Sequence, residues 1–110
     1  MSIEVTIDQL FDDVERWGFG YLLTVSEGER THLLALRPAI VGEGDQRCLR
    51  FDAEGRRACR NASERPNVSI VFPPADDSEG YSLVVDGRAT VVDRYVDVRP
   101  TGAVLHRPAP

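Results

Sequence analysis

The sequence predicts a mainly β protein, a small six-stranded antiparallel β-barrel with short helices. Segments with a two-residue apolar period recur along the chain and are separated by hairpin-length connections rich in Gly, Asp and Glu. Helical signals are confined to short stretches near the start, the middle and the end. Antiparallel strands of this number and spacing usually close into a small barrel, and we expect that arrangement here.

Composition places the chain among globular proteins and excludes several classes of function. Its 110 residues suit a single domain, residues 1–110. The chain has 13 arginines, no lysine and 18 acidic residues, for a net charge of −5. A general nucleic-acid binder normally presents a basic face, so no nucleic-acid partner is expected. No apolar run approaches the roughly 18 residues of a membrane span, so no membrane partner is expected either.

The cysteines and histidines show no metal-binding pattern. Cys48 and Cys59 form no CxxC motif, and His32 and His106 do not complete a known ligand spacing. We therefore expect no metal site, and a cytoplasmic protein with reduced thiols.

The N-terminal segment has the pattern of an amphipathic helix. Thr6 and Gln9 have capping-box spacing, and Gly18 is placed to end the helix. The acidic side chains on the other faces are interpreted as a solvated surface rather than as paired catalytic carboxylates. The residues that share the apolar face are Ile7, Leu10, Phe11, Val14 and Trp17.

Six strands are expected in the rest of the chain. Asp86-Gly87 is typical of a two-residue type I′ hairpin turn, in which Gly87 would have positive φ. Residues 33–36 are apolar at every position, so one face of that strand should meet the barrel interior and the other a partner subunit or a helix. The six ranges are 19–26, 31–41, 47–51, 67–72, 81–85 and 88–92.

Two further short helices are expected. Residues 54–64 are polar and cationic, with Ala58 and Ala62 marking the inner side and Pro66 just beyond the end. Residues 100–106 are expected to form a short closing helix. The arginines of segment 54–64, taken alone, are typical of a solvated basic face.

The order of these elements, together with three stretches of sequence, resembles the pyridoxamine 5′-phosphate oxidase-like family. The stretches are RNASERPNVSIVF, GYSLVVDGRATVV and AVLHRPA. The resemblance covers roughly residues 7–108. It implies a split β-barrel, usually a homodimer, that binds FMN or the deazaflavin coenzyme at the subunit interface.

The resemblance also implies where a cofactor phosphate would bind. The family's phosphate-binding segment reads approximately Thr-x-x-x-Ser-Arg-Lys. Counted back from Pro66, Arg57 takes the Arg position and Arg56 the Ser position, whereas Asp52 replaces the Thr and Ala58 replaces the Lys. A carboxylate cannot donate a hydrogen bond to phosphate and alanine offers no donor, whereas an added arginine can bind phosphate bidentately. The implied cradle thus loses two anchors, keeps one and rebuilds one.

Further cofactor contacts are implied on the upstream strand. Larger family members supply Arg and Lys from this strand, and His32 and Arg37 stand at the corresponding places. A histidine at such a position, taken alone, is more often a structural strand residue than a cofactor contact. His106 and Arg107 either reach the interface site or cap a terminal helix. Arg94 is distant in sequence and is expected to lie outside the cradle.

Two functions from different classes are consistent with these observations. The first is a small FMN- or deazaflavin-dependent oxidoreductase that acts on a small-molecule substrate, with the cofactor carrying out the hydride transfer. The second is a cofactor-free split barrel that serves as a binding or interaction protein. Asp52, Ala58 and the short chain favour the second, whereas the family resemblance favours the first.

Overall fold

A computed structural model describes residues 1–54 and 56–109 of the chain, without the side chain of Arg56. Within these residues there are eight strands and two α-helices, with short 3-10 turns at Val14–Trp17 and Gly44–Gln46. Neither α-helix has the length and apolar character that crossing a membrane requires. In chain order the elements are β1 (Ser2–Val5), α1 (Ile7–Asp13), β2 (Gly20–Val25), β3 (Thr31–Leu36), β4 (Ala39–Val41), β5 (Cys48–Asp52), α2 (Arg56–Glu64), β6 (Asn67–Phe72), β7 (Ser82–Val92) and β8 (Tyr95–His106).

The strands form one antiparallel sheet, and its two edge strands, β3 and β4, are consecutive in the chain. The order is β3-β2-β6-β7-β8-β5-β4, and β1 pairs with β8. Only Arg37 and Pro38 join β3 to β4, and such a link spans about 11 Å at most. The sheet therefore curls until its end strands are neighbours, although they do not pair. The predicted split barrel is confirmed, with eight strands rather than six.

The N-terminal helix and its cap are confirmed. The backbone N–H of Gln9 donates to Thr6 Oγ1 at 3.1 Å, and the N–H of Thr6 donates to Gln9 Oε1 at 2.9 Å. The α-helix ends at Asp13 and continues as the 3-10 turn to Trp17. Leu10 and Phe11 are buried in a core that is otherwise built mainly from the inner faces of the strands.

The strand count differs from the prediction partly because of Pro38 and partly because the C-terminal segment is a strand. Pro38 has no N–H for a ladder, and the expected strand 31–41 divides there into β3 and β4. The helix expected over residues 100–106 is wrong, because this segment is the second half of β8. At Pro100, β8 lies between its pairings with β5 and with β1, so it has a strand neighbour on one side only. Proline is tolerated at such a position.

The hairpin predicted at Asp86-Gly87 is also wrong. Both residues lie inside β7, at a register shift in the pairing with β8. A Cβ on Gly87 would lie 2.5 Å from Val98 Cγ1 and 2.7 Å from the carbonyl oxygen of Arg99. Glycine is needed here for close approach of the neighbouring strand, not for a positive φ. The turn between β7 and β8 comes at Asp93, which has φ +54°.

Replacing Gly87 by alanine tests this close contact. The new methyl group should force β7 and β8 apart and lower the free energy of unfolding by about 1–3 kcal/mol, the usual cost of overpacking. The matched control is Gly102→Ala on the facing strand, where a Cβ has no atom within 4 Å. Urea unfolding should show a change below about 0.5 kcal/mol for the control. Equal stabilities of the two variants would contradict the contact.

Candidate functional site

Helix α2 covers one end of the barrel. Ala58 and Ala62 are buried in the core, as the sequence predicts. Asn61 is also buried, and its Nδ2 donates to Thr24 Oγ1 on β2 at 3.2 Å. Cys59 Sγ lies 3.5 Å from the carbonyl oxygen of Arg94, in the turn between β7 and β8. We call this region, with the adjoining ends of β2, β3 and β5, the α2 end of the barrel.

His32 lies at the α2 end, beside the Thr24–Asn61 hydrogen bond. It is on β3, directly opposite Thr24 in the antiparallel register. Its Nδ1 is the only buried side-chain nitrogen or oxygen in the described part of the chain that has no hydrogen-bond partner. Buried polar atoms are normally paired, so His32 has hydrogen-bonding capacity that its own chain does not use.

Asp52 is held by Arg94, a residue that the sequence analysis placed outside the site. Arg94 Nε donates to Asp52 Oδ1 at 2.7 Å, and Arg94 Nη2 donates to Glu54. The hydrogen bond and the charge of Asp52 raise the pKa of the Arg94 guanidinium. The contact arises because Asp52 pairs with Tyr95, the residue after Arg94. Only knowledge of this long-range pairing of β5 with β8 would have revealed it.

The arginines of α2 differ in their contacts. Arg57 is exposed, and no carboxylate of the described residues forms an ion pair with it. Arg60, one turn later, pairs with Glu64 at 3.2 Å. The side chain of Arg56 lies outside the described residues. Ala58 is 1% exposed, so a lysine at this position would have to bury its ammonium group. The sequence position that the resemblance assigns to the family's lysine thus faces the core.

Arg37 lies at the opposite end of β3 from His32. Its guanidinium packs over Gly18, with Nη2 3.4 Å from the place of a Cβ on that glycine. Arg37 is five residue steps from His32, which corresponds to about 16 Å of extended chain. Within one chain the structure brings His32, Asp52 and Arg57 to the α2 end, and leaves Arg37 apart.

Large apolar side chains lie exposed on the outward surface of β2 and β3. Phe19 is 44% exposed, Tyr21 36% and Leu33 55%. The rings of Phe19 and Tyr21 meet edge to face at 5.5 Å. Tyr21 stands opposite Ala35 on β3 and Val71 on β6, which extends this surface over three strands. We call it the outer apolar face; none of the described residues of the chain covers it.

The other candidate residues, His106, Arg107 and Cys59, contact neighbouring parts of the chain. His106 Nδ1 lies 3.0 Å from Ser2 Oγ, where β8 pairs with β1. Because His106 belongs to a strand, it does not cap a helix. The Arg107 guanidinium stacks 4.4 Å from the centre of the Tyr81 ring. Burial, followed by the charge of Asp52, raises the pKa of the Cys59 thiol.

Among the described residues, Cys48 and the carboxylates do not form a metal centre, and the Cys48 thiol is not activated. Burial also raises the pKa of the Cys48 thiol, with Asp97 contributing, and a raised pKa disfavours the nucleophilic thiolate. Both cysteines are free. Among the described residues, no three His, Cys, Asp or Glu side chains are grouped as a metal site would require. Among the described residues of the α2 end, Arg57 has no ion-pair partner and His32 Nδ1 has no hydrogen-bond partner.

Several solved structures share this fold. The FAD-binding protein from Mycobacterium smegmatis has a TM-score of 0.66 and 24% identity, over 97% of this chain and 100% of that one. An F420 reductase has a TM-score of 0.63 and 20% identity, over 84% of this chain and 93% of that one. A putative pyridoxamine 5′-phosphate oxidase from Listeria innocua has a TM-score of 0.63 and 15% identity, over 92% and 98%.

Sequence comparison finds relatives with higher identity. No protein-family model matches the chain. The uncharacterized proteins Mb0449c of Mycobacterium bovis and MT0457 of Mycobacterium tuberculosis are each 34% identical to it over 96% of this chain and 82% of their own length. The chain therefore belongs to one family with Mb0449c and MT0457, and it has the split-barrel fold of the pyridoxamine 5′-phosphate oxidase-like proteins.

Proposed function

We propose that this chain is a homodimeric oxidoreductase that binds FMN or a deazaflavin coenzyme and acts on a small-molecule substrate. The observation that carries the proposal is the outer apolar face, with two aromatic rings and Leu33 exposed in a chain of this fold. A flavin-type ring system is a large flat aromatic group, and such groups bind to apolar and aromatic side chains. Fold neighbours described as FAD-binding and as an F420 reductase support the same choice.

A second copy of the chain is part of the proposal. Three large apolar side chains at 36–55% exposure form a contiguous patch rather than scattered surface residues. Contiguous exposed apolar patches on proteins typically mark an interface. A partner on this face would cover the patch and enclose the cofactor ring, since one chain offers only one wall.

Fewer side chains are available to bind a cofactor phosphate than to bind the ring. Arg57 is the exposed arginine of α2 that remains available for it among the described side chains. The repulsion expected from Asp52 is reduced, because Arg94 forms an ion pair with that carboxylate and shares its charge with Glu54. Arg37 lies too far along β3 to join Arg57 within one chain. When bound, the cofactor supplies the hydride transfer. Arg57 would hold the phosphate, and the outer apolar face would exclude water from the ring.

The second candidate function is a cofactor-free binding or interaction protein. Ala58 points into the core, and Asp52 is occupied by Arg94 where the family motif has a threonine. On this alternative, the outer apolar face binds a protein partner and the α2 end has no ligand.

The proposal includes a cytoplasmic location. Cys48 and Cys59 are both free thiols, the usual state in a reducing compartment.

Titration with FMN and with riboflavin tests the proposed function and the role of Arg57 together. Riboflavin has the same ring system without the phosphate. Arg57→Gln should weaken FMN binding roughly tenfold to a hundredfold, the effect of losing one charge-assisted hydrogen bond, and should leave riboflavin binding unchanged. Isothermal calorimetry and the visible absorption of the bound ring measure both affinities.

The matched control for this experiment is Arg60→Gln. It removes the same charge from the same helix, but at a side chain already paired with Glu64, so FMN should bind as tightly as to the parent. If FMN, riboflavin and the deazaflavin coenzyme all fail to bind the parent, the cofactor-free alternative is the correct one. Equal losses in the two arginine variants would assign the effect to net charge.

The homodimer is tested by placing a charge on the outer apolar face. Light scattering should give the parent twice the 12.2 kDa mass of the chain. Leu33→Arg should give a monomer, because a buried unpaired guanidinium opposes association. Val92→Arg is the control, since Val92 is 40% exposed but lies at the far end of β7. A parent that remains monomeric at micromolar concentration would contradict the dimer.

A further inference from the structure

Two arginines face each other on adjacent strands of the outer sheet surface. Arg88 on β7 is directly opposite Arg99 on β8 in the antiparallel register, and both side chains are exposed. Like charges directly opposite in a sheet are destabilising. In the described part of the chain each guanidinium hydrogen-bonds only a neutral amide: Arg88 donates to Asn67 Oδ1 at 3.3 Å, and Arg99 donates to Gln46 Oε1.

The carboxylates nearby do not neutralise this pair. Arg50 holds Asp97 by two hydrogen bonds, Nε to Oδ1 at 2.7 Å and Nη2 to Oδ2 at 2.9 Å. Asp86 accepts a hydrogen bond from Ser69 Oγ at 2.7 Å instead. Two uncompensated positive charges therefore persist side by side on a chain whose net charge is −5.

The arginine pair lines a groove of suitable size and chemistry for an anion. The groove has a volume of about 410 Å³ and is lined by Gln46, Cys48, Arg88, Thr90, Asp97 and Arg99. Thr90 contributes a hydroxyl donor, and it stands opposite Asp97, whose charge Arg50 already balances.

We propose that this groove binds a phosphoryl group, either free phosphate or the phosphate of a small monoester, clamped between Arg88 and Arg99. A phosphate dianion matches two permanent positive charges, and guanidinium groups bind it through paired hydrogen bonds. A carboxylate would balance only one of the charges. The step is binding alone, with no bond made or broken.

This site is separate from the proposed cofactor site. Arg99 lies four residues along β8 from Tyr95, which pairs with Asp52 at the α2 end, a distance of about 13 Å along the strand. The inference goes beyond the proposed function and does not depend on it, because none of the groove residues contributes to the α2 end or to the outer apolar face.

Calorimetric titration of the full chain with inorganic phosphate and with glycerol 2-phosphate tests the proposal. Arg99→Gln and Arg88→Gln should each weaken binding roughly tenfold to a hundredfold. Arg30→Gln, an exposed arginine in the β2–β3 hairpin, removes the same charge elsewhere and should leave binding unchanged. Binding of the monoester should strengthen from pH 5 to pH 7, because its second ionisation lies near pH 6. If the monoester binds more tightly than phosphate, the rest of the groove contacts the organic part of the monoester.

Thermal unfolding supplies a second test, in which the difference in melting temperature between the parent and Arg99→Gln should change sign when phosphate is added. Without phosphate, Arg99→Gln should melt at the same temperature as the parent or higher, because the repulsion between the two arginines is relieved. With phosphate present, the parent should melt at a higher temperature than the variant, because the parent binds phosphate more tightly. Sodium acetate at matched ionic strength should not reproduce this reversal. The proposal is overturned if phosphate binds the Arg99→Gln and Arg30→Gln variants equally well, or if acetate stabilises the parent as much as phosphate does.

Discussion

The two-residue link between β3 and β4 is the constraint on which the rest of the structure depends. These strands are the two ends of the sheet, and Arg37 and Pro38 hold them within reach of each other. The sheet therefore has an enclosed side, which the core fills, and an outward side. Helix α2 can then cover one end of the enclosed side, with Ala58, Asn61 and Ala62 facing inward. The same curvature turns Tyr21 and Leu33 outward, where no element of the described chain reaches them.

The outward side carries surfaces of different chemistry. The outer apolar face, on β2 and β3, suits a ring system or a second subunit. The groove at Arg88 and Arg99, on β7 and β8, is polar and locally positive although the chain as a whole is acidic. Alternation along the strands produces both surfaces, since each buried residue is followed by an outward one whose type is free of packing constraints.

Local patterns predicted the elements that are determined by neighbouring residues. The capping box at Thr6 fixed the start of α1, and the burial of Ala58 and Ala62 followed from their spacing. Elements that depend on distant strands were missed: β1 exists through its pairing with the second half of β8, and Gly87 is required by the approach of Val98. The site shows the same division. Arg57 could be placed on α2 from sequence, but the contact of Arg94 with Asp52 follows only from the β5–β8 register.

That contact changes the electrostatic argument at the α2 end. Taken from sequence, Asp52 is a carboxylate that repels a phosphate. In the folded chain it forms an ion pair with Arg94 in which both side chains are about half exposed, and such pairs contribute little to stability. The pair matters for electrostatics instead, because Arg94 reduces the repulsion between Asp52 and an anion near Arg57. Glu54 also bonds to Arg94, so one arginine serves two carboxylates, and the three groups together keep a net charge of −1. Arg57 is then the residue through which the α2 end attracts a phosphate, and the strength of that attraction depends on how completely Arg94 holds Asp52.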